Sequence, residues 1–239
     1  MGQSLNGKTP VTRPPPIDLV IFDCDGVLID SEVISARMLV AELAERDVHI
    51  TLDYVARHFL GRSYPVVLEQ IRSEFGVDLT PEFETAYRAS LLKAFETELA
   101  AIPGVRDVIE TLGVDYCLAT SSSPPRVARS LEITGLGDLF EGRITTASEV
   151  RHGKPAPDLF LLAAGKRGAR PENCLVIEDS ETGVAAGLAA GMQVWRFVGG
   201  SHLREVSSDR EASAGASRVF ASFASFYQLG RHLKLGQSK

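Results

Sequence analysis

A continuous apolar run that ends in two closely spaced aspartates constrains this chain more than any other feature. Residues 17–22 read IDLVIF, and Asp23 and Asp25 follow with only Cys24 between them. An apolar run of this length, broken only by Asp18, is typical of a strand buried in a parallel sheet. Because open α/β sheets bind ligands at the carboxyl ends of their strands, we expect Asp23 and Asp25 to lie at a functional site.

The same segment has a simpler interpretation as a turn. Asp25-Gly26 between apolar residues is typical of a hairpin, in which aspartate also bonds to the nearby backbone. Taken alone, the pattern is compatible with both interpretations, a turn and a functional site. Cys24 has the residue type of a nucleophile, but a small residue that fills the strand end is the simpler interpretation. The decision depends on the rest of the chain.

The composition is that of one α/β domain with room for a smaller insertion. The chain has 239 residues, of which 44% are hydrophobic and 23% charged, and this is ordinary for a globular protein. A net charge of -6 argues against binding to nucleic acid or to a membrane surface, since these partners need clustered lysine and arginine. No apolar run approaches the ~18 residues of a membrane span. We expect neither partner.

The three cysteines, Cys24, Cys117 and Cys174, lie in apolar runs without the spacing of a metal site. An odd number of such cysteines is typical of reduced thiols. We therefore expect a cytoplasmic protein. We also expect it to be a monomer or a weak dimer.

Strand-like and helix-like segments alternate along most of the chain, and this order predicts a Rossmann-like α/β core with a parallel sheet. After the first strand, the predicted strands are YCLAT at 116–120, a short one near 143–146, CLVIE at 174–178 and QVWRFV at 193–198. Residues 206–218 are small and polar, which predicts a flexible loop before a final helix at 221–234.

A helix-like block separates the first two strands. The segment SEVISARMLVAELAER has apolar residues at helical spacing, and Thr80-Pro81 is typical of a helix N-terminus. We therefore expect a small all-helical cap at 31–99, inserted after the first strand and lying over the ligand end of the sheet. The α/β core then comprises 17–30 and 100–239, and residues 1–16 form a flexible tail.

Three polar clusters follow later in the chain, at turns that could converge on Asp23. Hydroxyl residues occupy 120–123, Lys154 lies between a glycine and prolines, and Glu178 and Asp179 end a predicted strand. Hydroxyls and backbone N–H groups at a strand-to-helix turn suit a phosphate oxygen, and a lysine supplies a positive charge.

Each cluster also has an ordinary structural interpretation. The hydroxyls at 120–123 could cap the helix that begins near Pro125, and Asp179 or Ser180 could cap the helix that follows them. Lys154 could be a solvated surface charge. These interpretations stay open for each cluster taken by itself.

The acidic residues predict a metal ion if they converge. Each pair of like charges at ~4 Å costs up to about 4 kcal/mol at an effective dielectric constant near 20, and a divalent cation would offset that repulsion. Carboxylate and carbonyl oxygens are the ligands that Mg²⁺ prefers, and no histidine or cysteine pattern offers a zinc site. We therefore expect Mg²⁺ held by Asp23, Asp25, Glu178 and Asp179. With a hydroxyl and a lysine beside them, the set indicates a phosphoryl-transfer site.

Four motifs together resemble the haloacid dehalogenase superfamily, in its β-phosphoglucomutase-like branch of sugar-phosphate phosphatases. FDCDGVLIDSE, LATSSS, GKPAPDLF and VIEDSETG match the motifs of this family in the family's order, and the resemblance spans about residues 17 to 200. The resemblance implies a helical cap after the first motif. It also implies Mg-dependent hydrolysis of a small phosphorylated metabolite, a phosphate monoester such as a sugar phosphate or 6-phosphogluconate, through an aspartyl-phosphate.

The resemblance also implies roles for single residues. Asp23 would attack phosphorus, Asp25 would act as general acid and base, and Lys154 would neutralise charge. Asp23, the Asp25 carbonyl and Asp179 would hold Mg²⁺, with Glu178 acting through water. Thr120 and Lys154 would hold phosphoryl oxygens, and Ser121 would donate a backbone N–H. Arg62, in the loop between cap helices, would bind an anionic group of the leaving portion, although an ordinary surface arginine fits equally well.

Three other functions remain as alternatives. A phosphosugar mutase shares every core motif, but such enzymes carry a histidine early in the first cap helix, where this chain has Ser35. A true dehalogenase generally lacks the second aspartate, here Asp25. A non-catalytic phospho-ligand binding protein should have lost a catalytic residue, whereas all four motifs are intact. Hydrolysis is therefore the expectation.

Overall fold

The computed structural model describes residues 16–59, 62, 64–203 and 215–236. Its centre is a six-stranded sheet in which all neighbouring strands run parallel. The strand order is β3-β2-β1-β4-β5-β6. The strands are β1 (Leu19–Phe22), β2 (Asp115–Thr120), β3 (Ile144–Thr146), β4 (Cys174–Glu178), β5 (Gln193–Phe197) and β6 (Arg218–Phe220).

Helices flank the sheet and also form the insertion after β1. Those of the insertion are α1 (Glu32–Ala44), α2 (Leu52–His58), α3 (Tyr64–Phe75) and α4 (Pro81–Glu98). Those between and after the other strands are α5 (Val105–Glu110), α6 (Pro124–Ile133), α7 (Gly137–Phe140), α8 (Asp158–Lys166), α9 (Glu181–Ala189) and α10 (Phe226–Leu229). The predicted Rossmann-like α/β fold with a helical cap after the first strand is confirmed. None of the helices described is long and apolar enough to cross a membrane.

Both faces of the sheet are packed against helices, and successive side chains of a strand point to opposite faces. In β1, Leu19 and Ile21 belong to a buried cluster with residues of α8 and α9, whereas Val20 and Phe22 belong to the cluster on the other face. All four are fully buried, so β1 contributes to two apolar layers at once. This is why the sequence of β1 reads as an almost continuous apolar run.

The cap helices begin and pack as their sequence indicates. The Thr80 side chain accepts a hydrogen bond from the backbone N–H of Phe83, and Pro81 occupies the first turn of α4. Helix α4 packs against α1 and buries Phe83 and Phe95 completely. The interior of the cap is therefore apolar, and it is continuous with the buried cluster on one face of the sheet.

The C-terminal prediction is wrong in part. A strand, β6, occupies 218–220, from the last residue of the predicted loop up to the predicted helix, and that helix at 221–234 is reduced to α10 with single 3-10 turns on either side. The reason is aromatic packing: Phe220, Phe223 and Phe226 turn inward and contact one another beside β5. Residues 1–15 of the predicted tail and 206–214 of the predicted loop lie outside the described residues.

The chain reverses its direction across the sheet at β1. From β1 it proceeds to β2 and β3 on one side, and then crosses to β4, β5 and β6 on the other. A crevice opens at such a switch point, outside the carboxyl ends of the strands, and ligands bind there in open α/β sheets. The cap is attached at this end, since it follows β1 directly.

Candidate active site

Three buried carboxylates meet where β1 and β4 end. Asp23 follows β1, Glu178 is the last residue of β4, and Asp179 comes next. The Asp23 N–H donates to the Ile177 carbonyl at 3.0 Å, which brings the two strand ends together. One oxygen from each carboxylate lies within 4.8 Å of the others, and all three residues are buried. The predicted convergence of these acids is therefore present in the structure.

Lys154 lies between two of these carboxylates. Its Nζ is 2.5 Å from Asp23 Oδ1 and 2.6 Å from Glu178 Oε1, and only 2% of its side chain is exposed. Although burial works against the charge, the two carboxylates raise the pKa of Lys154 above its usual 10.5. Lys154 is therefore a buried cation and not the solvated surface charge of the alternative interpretation.

Lys154 neutralises only part of the negative charge. Burial raises the pKa of Asp23 well above its usual value of 3.8, and repulsion from Glu178 adds to this while Lys154 opposes it. Burial followed by the Glu178 charge raises the pKa of Asp179 in the same way. Both carboxyl groups are therefore harder to ionise than a free aspartate, as expected where like charges share a site of low dielectric constant.

Glu178 also fixes the beginning of α9. Its Oε2 accepts hydrogen bonds from the backbone N–H groups of Asp179 and Ser180 and from the Ser180 hydroxyl, each at 2.9 Å. A Cβ on Gly183, in the first turn of α9, would overlap the Glu178 carboxylate. One oxygen of Glu178 therefore binds Lys154 while the other binds the helix N-terminus.

The Asp25 side chain is held by a different set of partners. Ser31 and Ser122 donate hydroxyl hydrogen bonds to it at 2.6 Å, and Arg126 Nη2 lies 2.7 Å from Oδ1. Burial opposes ionisation, but the Arg126 charge and these hydrogen bonds together lower the pKa of Asp25. The Asp25 carboxylate is outside the cluster of the other three acids, so its predicted contribution to a metal site is limited to the backbone carbonyl.

The hydroxyl cluster lies at the end of β2, facing the acids. Thr120 is buried, and its hydroxyl accepts a hydrogen bond from the Ser122 N–H at 3.0 Å. Ser121 is partly buried in the same cavity. The residue that precedes α6 is Ser123, whose side chain makes no capping bond. The capping interpretation therefore does not explain this cluster, and its first two residues face the cavity.

A cavity of about 640 Å³ extends from these groups to the cap. Its cap side includes Tyr64 and Tyr87, whose rings stack at 5.7 Å, and Arg88, which lies over the Tyr64 ring. Arg62 lines the cavity as an exposed residue, and its guanidinium donates to Gln70 Oε1 at 3.1 Å. Residues 61 and 63 of the same predicted segment lie outside the described residues.

Three residues of the site escaped prediction from the sequence. Arg126 comes from the first turns of α6, and His202 comes from a turn after β5, where its Nε2 lies 2.9 Å from Asp179 Oδ2. Glu32 opens α1, and burial together with the Asp25 charge raises its pKa to about 7. The sequence offered only weak signals for these residues. Arg126 follows soon after the hydroxyl cluster, His202 follows a pair of glycines, and Glu32 is an acid two residues after Asp30.

Comparisons with known proteins agree with this geometry. The family model described as haloacid dehalogenase-like hydrolase matches residues 17–191. The 6-phosphogluconate phosphatase of Escherichia coli is 29% identical over 80% of this chain and 86% of its own length. Hexitol phosphatase A of the same organism is 33% identical over 73% of this chain and 80% of its own. A haloacid dehalogenase-like structure from Agrobacterium tumefaciens is 32% identical with a TM-score of 0.77, covering 90% of this chain and 98% of that one.

Proposed function

Because this chain belongs to the haloacid dehalogenase-like hydrolases and is a phosphoric monoester hydrolase, we propose that it releases phosphate from a phosphorylated sugar or sugar acid with the help of Mg²⁺. The membership confirms the resemblance drawn from the four sequence motifs. The observation that carries the proposal is the position of Lys154 between Asp23 and Glu178, at the switch point of the sheet and facing a cavity under the cap.

The donor set fits a magnesium ion. Asp23, Glu178 and Asp179 present only carboxylate oxygens, which a hard divalent cation prefers, and their atoms lie within 4.8 Å of one another. The raised pKa values of Asp23 and Asp179 fit a site whose negative charge exceeds what Lys154 neutralises. In the proposal Asp23, Asp179 and the Asp25 carbonyl would hold the ion, and Glu178 would act on it through water. When bound, Mg²⁺ would neutralise charge on the phosphoryl oxygens.

Asp23 and Asp25 divide the covalent chemistry between them. In the first step a carboxylate oxygen of Asp23 attacks phosphorus, and the bond from phosphorus to the leaving oxygen breaks as Asp25 donates its proton to that oxygen. In the second step water attacks the aspartyl-phosphate, Asp25 takes a proton from the water, and the bond between phosphorus and Asp23 breaks. Inorganic phosphate and the free Asp23 carboxylate are the result.

The contacts of Asp25 bear on both steps. Arg126, Ser31 and Ser122 favour the ionised carboxylate, which is the form that accepts a proton from water in the second step. The first step needs the protonated form of Asp25, which the contact with Arg126 disfavours. In the proposal the leaving group of the substrate therefore weakens the contact between Asp25 and Arg126 when it enters. Arg126 is therefore expected to respond to the substrate.

The remaining residues position the phosphoryl group. Thr120 and Lys154 bind its oxygens, and Ser121 donates a backbone N–H, which provides positioning and charge neutralisation without further covalent chemistry. Arg62, at the edge of the cavity, binds an anionic group on the leaving portion. The cavity is large enough for a sugar phosphate, and the name of the 6-phosphogluconate phosphatase supports a sugar acid as substrate.

The test is phosphate release from a panel of sugar and sugar-acid phosphates with and without Mg²⁺. We expect release by the wild type, and a loss on the order of 10³-fold or more in Asp23→Asn, since the nucleophile is removed. Asp18→Asn is the matched control, because Asp18 lies just before the same strand and bonds only to Asn173 among the contacts described. Equal inactivity of the wild type and Asp23→Asn would indicate a phospho-ligand binding protein instead.

The same panel separates hydrolysis from phosphate transfer. Ser35 stands where mutases have a histidine, and its hydroxyl donates to the Ser31 carbonyl at 2.9 Å and accepts from Arg126. A serine held in this way offers no imidazole for acid-base work, which supports hydrolysis. We expect a hexose 1-phosphate to yield inorganic phosphate, and accumulation of the 6-phosphate isomer would contradict the proposal.

The proposal also includes a cytoplasmic location and a monomeric or weakly dimeric state. Three buried, unpaired thiols fit a reducing compartment. Light scattering during gel filtration at micromolar concentration measures the state directly.

A further inference from the structure

His202 contacts a proposed metal ligand from outside the four sequence motifs. It lies on the turn Ser201–Leu203 after β5, its side chain is 6% exposed, and its Nε2 is 2.9 Å from Asp179 Oδ2. A carboxylate only accepts, so the imidazole must donate Nε2–H to it. The other ring nitrogen, Nδ1, has no hydrogen-bond partner among the residues described. The ring is therefore oriented by its contact with Asp179.

Two glycines make room for this contact. A Cβ on Gly200 would lie 2.7 Å from His202 Cε1 and 2.8 Å from Nδ1. A Cβ on Gly26 would lie 2.9 Å from the same ring carbon and would also overlap the Asp179 carboxylate. Gly26 has a φ angle of +77°, a backbone conformation that residues with a side chain rarely adopt. The ring and the carboxylate are thus packed closely against backbone on both sides.

The turn that carries His202 is bound to the junction between core and cap. Asp30 Oδ1 accepts hydrogen bonds from the Ser201 N–H at 3.0 Å and from the Ser201 hydroxyl at 2.7 Å. The Asp30 N–H in turn donates to the carbonyl of Ala100, on the returning connection of the cap. The turn with His202 is therefore held in place by the chain segments that join the cap to the sheet.

We propose that His202 is a positioning residue that orients the Asp179 carboxylate for the divalent cation by binding one of its two oxygens. The inference rests on the proposed function, because it takes Asp179 as a metal ligand. Partners that orient a ligand in this way change metal affinity by about 10–100-fold when they are removed. His202 does not touch the reacting atoms in this role.

The test measures binding of Mn²⁺ to the metal-free protein by electron paramagnetic resonance, together with the Mg²⁺ dependence of phosphate release. His202→Met keeps bulk but removes the donor, and we expect it to weaken Mn²⁺ binding by about 10–100-fold. His202→Gln places an amide N–H near the position of Nε2 and is expected to restore most of that loss. At saturating Mg²⁺ the KM for the phosphate ester should be unchanged in both.

A matched control is His152→Met, which removes a histidine that contacts Asp158 at 3.2 Å but is 61% exposed. It should bind Mn²⁺ like the wild type. If His202→Met does not fold, His202→Asn replaces it, since its amide is too short to reach Asp179. Binding of Mn²⁺ by either donor-deficient variant at wild-type strength would overturn the inference. A wild-type protein that binds no Mn²⁺ and hydrolyses nothing would overturn the proposed function instead.

Discussion

At the scale of single residues, the contact between Asp25 and Arg126 couples the stability of the fold to the state of the proposed general acid. Both side chains are largely buried, at 12% and 23% exposed. We predict that Arg126→Met destabilises the protein by about 2 kcal/mol at pH 7, below the cost of a wholly uncompensated buried charge because Ser31 and Ser122 still bind Asp25. Urea denaturation in EDTA measures the change.

The pH dependence of that loss has a definite sign. Arg126 lowers the pKa of Asp25 below 3.8, so the stability it contributes is present above that value and is lost as pH falls through the folded-state pKa. The deficit of Arg126→Met should therefore shrink in acid. Arg129→Met, on the same helix with exposed partners, should change stability by less than about 0.5 kcal/mol. A deficit independent of pH would contradict this account.

At the scale of elements, the beginning of α9 places a carboxylate where Lys154 can reach it. The close approach depends on Gly183, because a Cβ there would overlap the Glu178 carboxylate. We predict that Gly183→Ala displaces Glu178 and lowers phosphate release by about 10²-fold, the scale of effect that a misplacement of about 1 Å can have. Steady-state kinetics at saturating Mg²⁺ measures this loss.

Gly165→Ala in α8 is the matched control, since Gly165 is also helical but its Cβ would meet nothing within 4 Å. It should leave activity unchanged and stabilise the protein by about 0.5–1 kcal/mol, the helix preference of alanine over glycine. Equal activity of the two variants would show that α9 does not need this close approach.

The elements also explain how much the sequence could predict. Residues at strand ends, such as Asp23 and Glu178, were predictable because the carboxyl ends of parallel strands share one edge of the sheet. Arg126 was not, since its ion pair spans 101 positions and depends on how α6 is turned toward Asp25. The location of His202 beside Asp179 could not be predicted either, because it depends on the position of β5 in the sheet. The predicted helix at 221–234 was wrong because packing of the aromatic side chains outweighed the local helical spacing.

At the scale of the whole molecule, the site should cost the metal-free protein stability. Burial raises the pKa of Asp179 well above 3.8, so this group destabilises the fold progressively as pH rises from its unfolded-state value. We predict that Asp179→Asn melts at a higher temperature than the wild type in EDTA at pH 8, and that the difference shrinks toward pH 4. Added Mg²⁺ should raise the melting temperature of the wild type, because it binds only the folded state, and should raise that of Asp179→Asn much less.

Asp115→Asn is the control, and its melting temperature should change in the opposite direction. Arg167 and Arg143 lower the pKa of Asp115 against the effect of burial, so removing this carboxylate should lower the melting temperature at pH 8. If both variants melt below the wild type in EDTA, the carboxylates under the cap are not in mutual repulsion, and the electrostatic argument for a cation at this site fails with them.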